Sequence, residues 1–291
     1  MIKTKPMLPL FTRRGGVGFV VGAVLVSGGF ASAAAPAAAS QSSPAVFVLA
    51  LVPPLPEAEV NAKPAPQVRV AGPIAKRTIG YSVQGRKIVA RLYGSPDATK
   101  VGVMIGSMHG TERGGIPVAK RIEKLGAPAG TALWVIRNLN PDGSRINQRG
   151  NANKVDLNRN GTHIWAAKAR APVYYPGPSS ASEPETRAYI SFLESVKPDV
   201  VLIYHQHGTG VDSYRQKNAG LTKGLAKRMK LPVKPFNCDG ECTGTLTGWF
   251  NTTQAGAALT IELTASVNTK KINRWAKAAR WSVRYVPDVN G

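Results

Sequence analysis

A histidine and a carboxylate stand three residues apart in the segment His109-Gly110-Thr111-Glu112. On a turn or at the start of a helix, this spacing directs both side chains toward one point. An imidazole nitrogen and a carboxylate oxygen are ligand types that zinc accepts in proteins. The pair therefore indicates part of a zinc site. A catalytic zinc site also needs a third protein ligand and an open position for water.

His205 is the leading candidate for the third ligand, because it directly follows the apolar run at residues 200–204. Reactive side chains in α/β proteins gather where the strands of the sheet end. His207 is the alternative ligand, since two residues farther along an extended segment its side chain faces the same side. We expect His205 to bind the metal, and the sequence leaves His207 open.

Strands and helices alternate along the chain. Alternating or continuous apolar patterns predict strands at residues 77–83, 87–93, 101–107, 132–137, 199–204 and 257–263. Helical spacing predicts helices at residues 116–125, 183–196, 221–229 and 270–280. Ser182 is the expected N-cap of the second helix, and residues 138–143 are typical of a turn. This alternation predicts an α/β protein whose sheet is buried on both faces.

A dense polar block lies between the two parts of the candidate zinc site. It consists of Asn140-Pro141-Asp142-Gly143, Arg149-Gly150-Asn151-Ala152-Asn153 and Val155-Asp156-Leu157-Asn158-Arg159-Asn160. Two later motifs lie at residues 177–186 and 260–263. Together, residues 78–270 resemble the zinc carboxypeptidase family, and more closely its bacterial branch of murein peptide amidases. The resemblance implies a single domain with a central mixed, mostly parallel twisted sheet flanked by helices on both faces.

The resemblance also implies which residues hold the metal. His109, Glu112 and His205 match the ligands of one zinc ion per chain. Asp156 matches the carboxylate that orients the first histidine. Such a carboxylate accepts the free ring N–H and fixes the tautomer of the ligand.

The residues implied to perform the chemistry are an acid and two arginines. Glu262 matches the general base, and a carboxylate within an apolar run is costly to bury unless it is paired or belongs to a site. Arg149 matches the arginine that stabilises the oxyanion. Asn158 and Arg159 match the pair that binds a free C-terminal carboxylate, for which a planar guanidinium is suited.

One segment departs from the pattern of the family. Its well-known members carry a tyrosine over the substrate about 22 residues before the base, whereas this chain has Gly240 there. The flanking Cys238 and Cys242 are expected to form a disulfide that an exported protein can keep, and two free thiols are the alternative. Asp239 and Glu241 would then lie near the substrate and favour a positively charged amine, such as that of diaminopimelate.

Composition and charge limit the class of protein. The 291 residues include 38 Lys or Arg and 16 Asp or Glu, which gives a formal net charge of +22, and 43% are hydrophobic. This content excludes a wholly disordered chain and a multi-span membrane protein. Two cysteines exclude a disulfide scaffold. The positive charge is compatible with adhesion to anionic cell-wall polymers, and a solvated, solubilising surface is the alternative. We expect no nucleic-acid partner, since basic and aromatic residues do not alternate as in a binding platform.

The first residues predict export. Lys3, Lys5, Arg13 and Arg14 precede an apolar run, and Ala31-Ser32-Ala33 is typical of a cleavage site, so residues 1–33 are a predicted signal peptide. The two adjacent arginines are compatible with twin-arginine export. Residues 34–75 are rich in Ala, Pro and Ser and are a predicted linker, and residues 76–291 are the predicted catalytic domain. The mature protein is therefore expected to be secreted or wall-associated, without a stable membrane span.

These observations predict a secreted zinc metallocarboxypeptidase or amidase. Its expected substrate is a peptide or muropeptide with a free C-terminal carboxylate, cleaved at a C-terminal amide that is either α-linked or γ-linked. One alternative is an N-acyl amino acid deacylase of the aspartoacylase type. The other is a non-catalytic cationic protein that binds cell walls.

Overall fold

The computed structural model describes residues 72–238 and 242–285 of the chain. The predicted signal peptide (1–33), most of the predicted linker (34–75), Asp239 and Glu241 lie outside these residues. The first strand begins at Ala75, next to the predicted start of the catalytic domain. Among the described residues, no helix combines the length and the apolar composition that a membrane crossing requires.

Eight strands in the described part of the chain form one sheet. They are β1 (Ala75–Tyr81), β2 (Lys87–Gly94), β3 (Lys100–Ile105), β4 (Thr131–Ile136), β5 (Val200–Gln206), β6 (Gly210–Asp212), β7 (Val233–Lys234) and β8 (Ala257–Leu263). Their order across the sheet is β1-β2-β4-β3-β5-β8-β6-β7. The four central strands β4, β3, β5 and β8 are parallel, whereas β2 and β6 pair with them antiparallel. The predicted mixed sheet with a parallel centre is confirmed.

Helices cover both faces of this sheet. They are α1 (Gly115–Leu125), α2 (Pro141–Ile146), α3 (Pro184–Val196), α4 (Ala219–Met229), α5 (Leu246–Thr253) and α6 (Thr269–Tyr285). Short 3-10 turns lie at Leu157–Arg159 and Pro172–Tyr174. α1, α4 and α6 bury one apolar cluster against the sheet, and α3 and α5 bury a second. The predicted α/β architecture is thus confirmed.

Strand β5 shows why its sequence is apolar throughout. Leu202 and Tyr204 belong to the cluster under α1, α4 and α6, whereas Val201 and Ile203 belong to the cluster under α3 and α5. Successive side chains of a strand point to opposite faces, so a strand covered on both faces must be apolar at every position. Such a buried strand places the residues at its carboxyl end on a rigid support.

Two local predictions need correction. The predicted turn at residues 138–143 contains the start of α2, because Asn140 caps that helix by accepting a hydrogen bond from the Gly143 N–H at 2.9 Å. The N-cap of α3 is Glu183 rather than Ser182. The Ser182 hydroxyl instead donates to Glu183 Oε1 at 2.7 Å.

Helix α5 was not predicted from the sequence. Thr245 caps it, and Leu246, Trp249 and Phe250 are buried at helical spacing. This i, i+3, i+4 pattern is the signal that could have identified the helix. Its brevity and its polar residues made the pattern weak.

Candidate active site

The candidate site lies at the carboxyl ends of the central parallel strands. His109 follows β3 after a short connection. His205 and Glu262 are the penultimate residues of β5 and β8. The carboxyl ends of parallel strands meet at one edge of the sheet, where α/β proteins place their reactive groups. The fold thus brings together side chains that are far apart in sequence.

The turn that carries His109 requires a glycine. A Cβ atom on Gly110 would lie 2.1 Å from the carbonyl carbon of Gly143 and 2.2 Å from the carbonyl oxygen of Gln148. Both are backbone atoms that a rotamer change cannot move. The close approach packs the His109 turn against the segment after α2, which leads to Arg149.

Three potential metal ligands converge on one point. His109 Nδ1 lies 2.8 Å from Glu112 Oε2, His205 Nδ1 lies 2.9 Å from the same oxygen, and the two Nδ1 atoms are 3.2 Å apart. All three side chains are buried. Two ligand atoms bound to one tetrahedral zinc ion lie roughly 3.3 Å apart, given bonds of about 2.0–2.1 Å. The donor set and its spacing therefore fit zinc.

His207 lies outside this group. Its side chain is exposed, and the metal-compatible group in the described residues consists of His109, Glu112 and His205. Between the two histidines that the sequence left open, the geometry favours His205.

Asp156 sets the orientation of His109. Its Oδ1 lies 2.8 Å from His109 Nε2, and its Oδ2 accepts a hydrogen bond from Arg149 Nε at 3.0 Å. Burial alone would raise the pKa of Asp156, but the charges of His109 and Arg149 hold that pKa well below its ordinary value. An ionised Asp156 accepts a hydrogen bond from the Nε2–H of His109, which leaves the Nδ1 lone pair of His109 for a metal.

Arg149 joins the metal-ligand group to Asp156. Its Nη1 donates to Glu112 Oε1 at 2.6 Å, and its Nε donates to Asp156. Burial alone would lower the pKa of Arg149, but the two carboxylates raise it above its ordinary value. The guanidinium also lies over the Tyr174 ring, with Cζ 5.3 Å from the ring centroid. Arg149 is therefore a fixed positive charge beside the metal ligands.

Glu262 is a partly buried carboxylate that lines the same cavity as His109 and His205. Its Oε2 accepts a hydrogen bond from the backbone N–H of Gly208 at 3.0 Å. This contact fixes the carboxylate at the end of β8 without using an ion pair. The remaining oxygen lone pairs can accept a proton from water.

Asn158 and Arg159 form another part of the cavity wall. The Asn158 side-chain oxygen accepts from the Leu246 N–H at 3.1 Å, which couples this wall to α5. Arg159 donates from Nη1 to the Asn158 carbonyl at 2.8 Å and from Nη2 to Cys238 Sγ at 3.4 Å. Burial and the nearby charge of Arg149 lower the pKa of Arg159 from its ordinary value.

The cavity has a volume of about 120 Å³ and combines the metal ligands, the acid and the two arginines. Several other residues that line the cavity were not predicted from the sequence as site residues. They come mainly from β6, the segment after it and α5, and include Asp212, Tyr214, Arg215, Thr247, Gly248 and Asn251. No spacing in the sequence connects these residues to the histidines, because the sheet order alone brings β6 beside β8.

Cys238 and Cys242 are joined in a disulfide, and both line the cavity. The bond closes a short loop beside Arg159. Asp239 and Glu241 belong to that loop but lie outside the described residues, so their predicted role stays a prediction.

The comparisons with known proteins define the class. A family model described as zinc carboxypeptidase matches residues 127–229. This segment contains Arg149, Asp156, Asn158, Arg159 and His205. The match indicates a peptide hydrolase that is similar to the zinc carboxypeptidases over this segment, and the resemblance seen in the sequence is confirmed.

Among individual proteins, the chain is similar to two murein peptide amidases. Murein peptide amidase A of Escherichia coli (strain K12) is 28% identical over 178 residues, which cover 57% of this chain and 72% of that protein. Murein peptide amidase A of Vibrio campbellii is 32% identical over 142 residues, which cover 44% of this chain and 55% of that protein.

Solved structures agree on the fold. The crystal structure of a murein-tripeptide amidase from Escherichia coli O157 has a TM-score of 0.62 and 23% identity, and covers 77% of this chain and 97% of that one. A carboxypeptidase A from Helicoverpa armigera has a TM-score of 0.60 and 20% identity, covering 74% of this chain and 68% of that one. The expected zinc carboxypeptidase-like fold is thereby confirmed.

Proposed function

We propose that the protein is a zinc-dependent carboxypeptidase or amidase that removes the C-terminal residue of murein stem peptides. The observation that carries this proposal is the convergence of His109, Glu112 and His205 in the cavity that also holds Glu262. The similarity to murein peptide amidases supports the choice of substrate. The predicted signal peptide supports a reaction outside the cytoplasm.

The metal and the base act together in this proposal. One zinc ion per chain, held by His109, Glu112 and His205, would lower the pKa of water toward about 7 and polarise the scissile carbonyl. Glu262 accepts the proton of the attacking water and delivers it to the leaving amine. The Gly208 N–H, 3.0 Å from its Oε2, holds the carboxylate in place for both steps.

Arg149 stabilises the negative charge that develops on the scissile carbonyl oxygen. Its Nη1 and Nε are engaged by Glu112 and Asp156, and its Nη2 hydrogens serve the oxyanion. Because the guanidinium is already fixed by two carboxylates, it needs no reorganisation during the reaction. Such fixed donors stabilise the transition state more than the ground state.

Asn158 and Arg159 make the enzyme an exopeptidase. A planar guanidinium binds a carboxylate through two parallel hydrogen bonds, and Arg159 lines the cavity that also holds the candidate metal ligands. A substrate without a free C-terminal carboxylate would leave this partly buried charge without its anion. The released residue is proposed to carry an amine that Asp239 and Glu241 bind. Diaminopimelate in a γ-linked stem peptide is such a residue.

The proposal is tested by digesting a murein tripeptide and its C-terminally amidated form, with mass spectrometry of the products. The expected result is loss of the terminal residue from the free acid only, and no loss with Glu262→Gln. Cleavage of both forms would contradict the exopeptidase assignment. Asp239→Asn combined with Glu241→Gln is expected to reduce the preference for amine-bearing over neutral terminal residues, and an unchanged preference would contradict their role.

A further inference from the structure

Three helices form a basic layer on one face of the sheet. α1 and α4 both pack against α6, and together they cover the apolar cluster that includes Ile122, Leu225 and Trp275. We refer to these helices as the α1–α4–α6 layer. Its outer surface lies away from the catalytic cavity, which α5, β6 and the strand ends enclose.

The charges of this layer have nearly one sign. α6 carries six Lys or Arg, and α1 and α4 carry three each. The single acidic residue of the three helices is Glu123, which is buried and ion-paired with Arg137. No carboxylate of these helices is therefore available to neutralise the exposed cations.

The helices on the other face of the sheet show no such excess. α3 contains Arg187 as its single base, together with Glu185 and Glu194, and α5 has no charged residue. Among the helices, the cations are thus concentrated on one face of the sheet. This asymmetry indicates a helical surface that binds a negatively charged partner.

The shape of the layer fits an extended partner. A shallow groove of about 370 Å³ runs between α1 and α6, and Lys120, Arg121 and Lys124 line it together with Thr269 and Asn273. The 17 residues of α6 span about 25 Å at a rise of about 1.5 Å per residue. Lys and Arg side chains spread over this length can contact several negative charges of one polymer chain at the same time.

The surface lacks the apolar residues that a membrane-inserting helix needs. Among the exposed large hydrophobic residues of the described chain, only Tyr285 belongs to the α1–α4–α6 layer. A helix that lies in a membrane interface buries an apolar face among the acyl chains. The layer therefore favours a soluble linear polyanion over a lipid surface.

We propose that the α1–α4–α6 layer binds a linear anionic polymer with phosphodiester charges, of the kind found in cell envelopes. The binding is electrostatic and leaves the catalytic cavity open, so it would concentrate the hydrolase near its substrate. It involves none of the residues assigned to hydrolysis. The two proposals can therefore fail separately.

The test compares two triple variants of the full mature chain. Lys120→Gln and Lys124→Gln remove cations that line the groove, and Lys270→Gln removes the exposed cation next to the lining residue Thr269. Lys76→Gln, Lys87→Gln and Lys197→Gln remove the same charge from exposed positions outside the layer. Binding to synthetic poly(glycerol phosphate) is measured by calorimetry over a range of salt concentrations, and hydrolysis of a soluble tripeptide is measured in parallel.

The groove variant is expected to bind at least tenfold more weakly at 0.1 M salt, and the control less than threefold. The slope of log Kd against log salt should fall by about two in the groove variant, since each lost contact removes roughly 0.7–0.9. Tripeptide hydrolysis should be unchanged in both variants. Equal losses in the two variants, or no loss in either, would overturn the proposal. Tighter binding to anionic vesicles or to single-stranded DNA than to poly(glycerol phosphate) would also overturn it.

Discussion

His205 and Glu262 lie directly opposite each other in the register of the parallel strands β5 and β8. They are far apart in sequence, yet the pairing places a candidate metal ligand and the proposed base on adjacent positions of one sheet edge. Both strands are buried on both faces, so neither residue can shift without disturbing the core. The relative position of metal and base is thus a property of the sheet.

Replacing the proposed base should abolish turnover without removing the metal. Glu262→Gln keeps the size of the side chain and its hydrogen bond from Gly208 but cannot accept the proton of water. We expect kcat to fall by about 10²–10⁴-fold and the zinc affinity to stay within threefold, measured by steady-state kinetics and chelator competition. Glu194→Gln, an exposed change on α3, is the control. A Glu262→Gln enzyme with more than a tenth of the wild-type kcat would contradict this role.

Removing the charge of Asp156 should weaken metal binding. Asp156→Asn retains an acceptor for His109 Nε2 but no longer holds the imidazole through an ion pair. Loss of such a supporting carboxylate typically costs about 10–100-fold in metal affinity. Zinc titration against a competing chelator measures the effect, with the exposed Asp97→Asn as control. An unchanged zinc affinity would show that Asp156 does not orient the ligand.

Asp156 also predicts a pH dependence of stability in the metal-free protein. Its folded-state pKa lies below the ordinary value of 3.8, so its contribution to the free energy of unfolding is present above pH 4. The contribution is lost as the pH falls through the folded-state pKa. Urea denaturation should therefore show wild type more stable than Asp156→Asn at pH 6, with the difference shrinking below pH 4. A difference that grows on acidification has the wrong sign for this account.

Substitutions of Arg149 and Arg159 should affect different kinetic constants. Arg149→Lys keeps the charge but loses the fork that spans Glu112 and Asp156, so we expect kcat to fall by about 10²–10³-fold. Arg159→Lys should raise KM by about tenfold with a smaller change in kcat, because the carboxylate that Arg159 is proposed to bind is present in both ground and transition states. Steady-state kinetics on one tripeptide measures both. The reverse pattern would exchange the two roles.

Local sequence patterns were enough to predict the alternation of strands and helices, whereas the mostly parallel centre of the sheet was implied by the family resemblance. The three-residue spacing singled out His109 with Glu112. The positions of His205 and Glu262 at or near the ends of apolar strands singled out these two residues, since polar residues there are costly unless they belong to a site. The family resemblance added the roles of the arginines, which spacing alone does not reveal.

Other parts of the site depend on tertiary structure. Asp212 reaches the cavity because β6 pairs antiparallel with β8, a neighbour that follows it in the chain. Burial raises the pKa of Asp212, and the backbone N–H groups of Phe236 and Tyr214 oppose that shift. Such contacts depend on the strand order. A sequence pattern reports the period of a strand but not which strand it will pair with.

The most direct test is to titrate the metal-free protein with zinc while following hydrolysis of the murein tripeptide. The account predicts that activity rises in proportion to bound zinc and reaches a plateau at one zinc per chain. His109→Ala combined with His205→Ala should lose both the bound zinc and the activity. Full hydrolysis by metal-free protein, or zinc that stays bound in the double variant, would contradict the account.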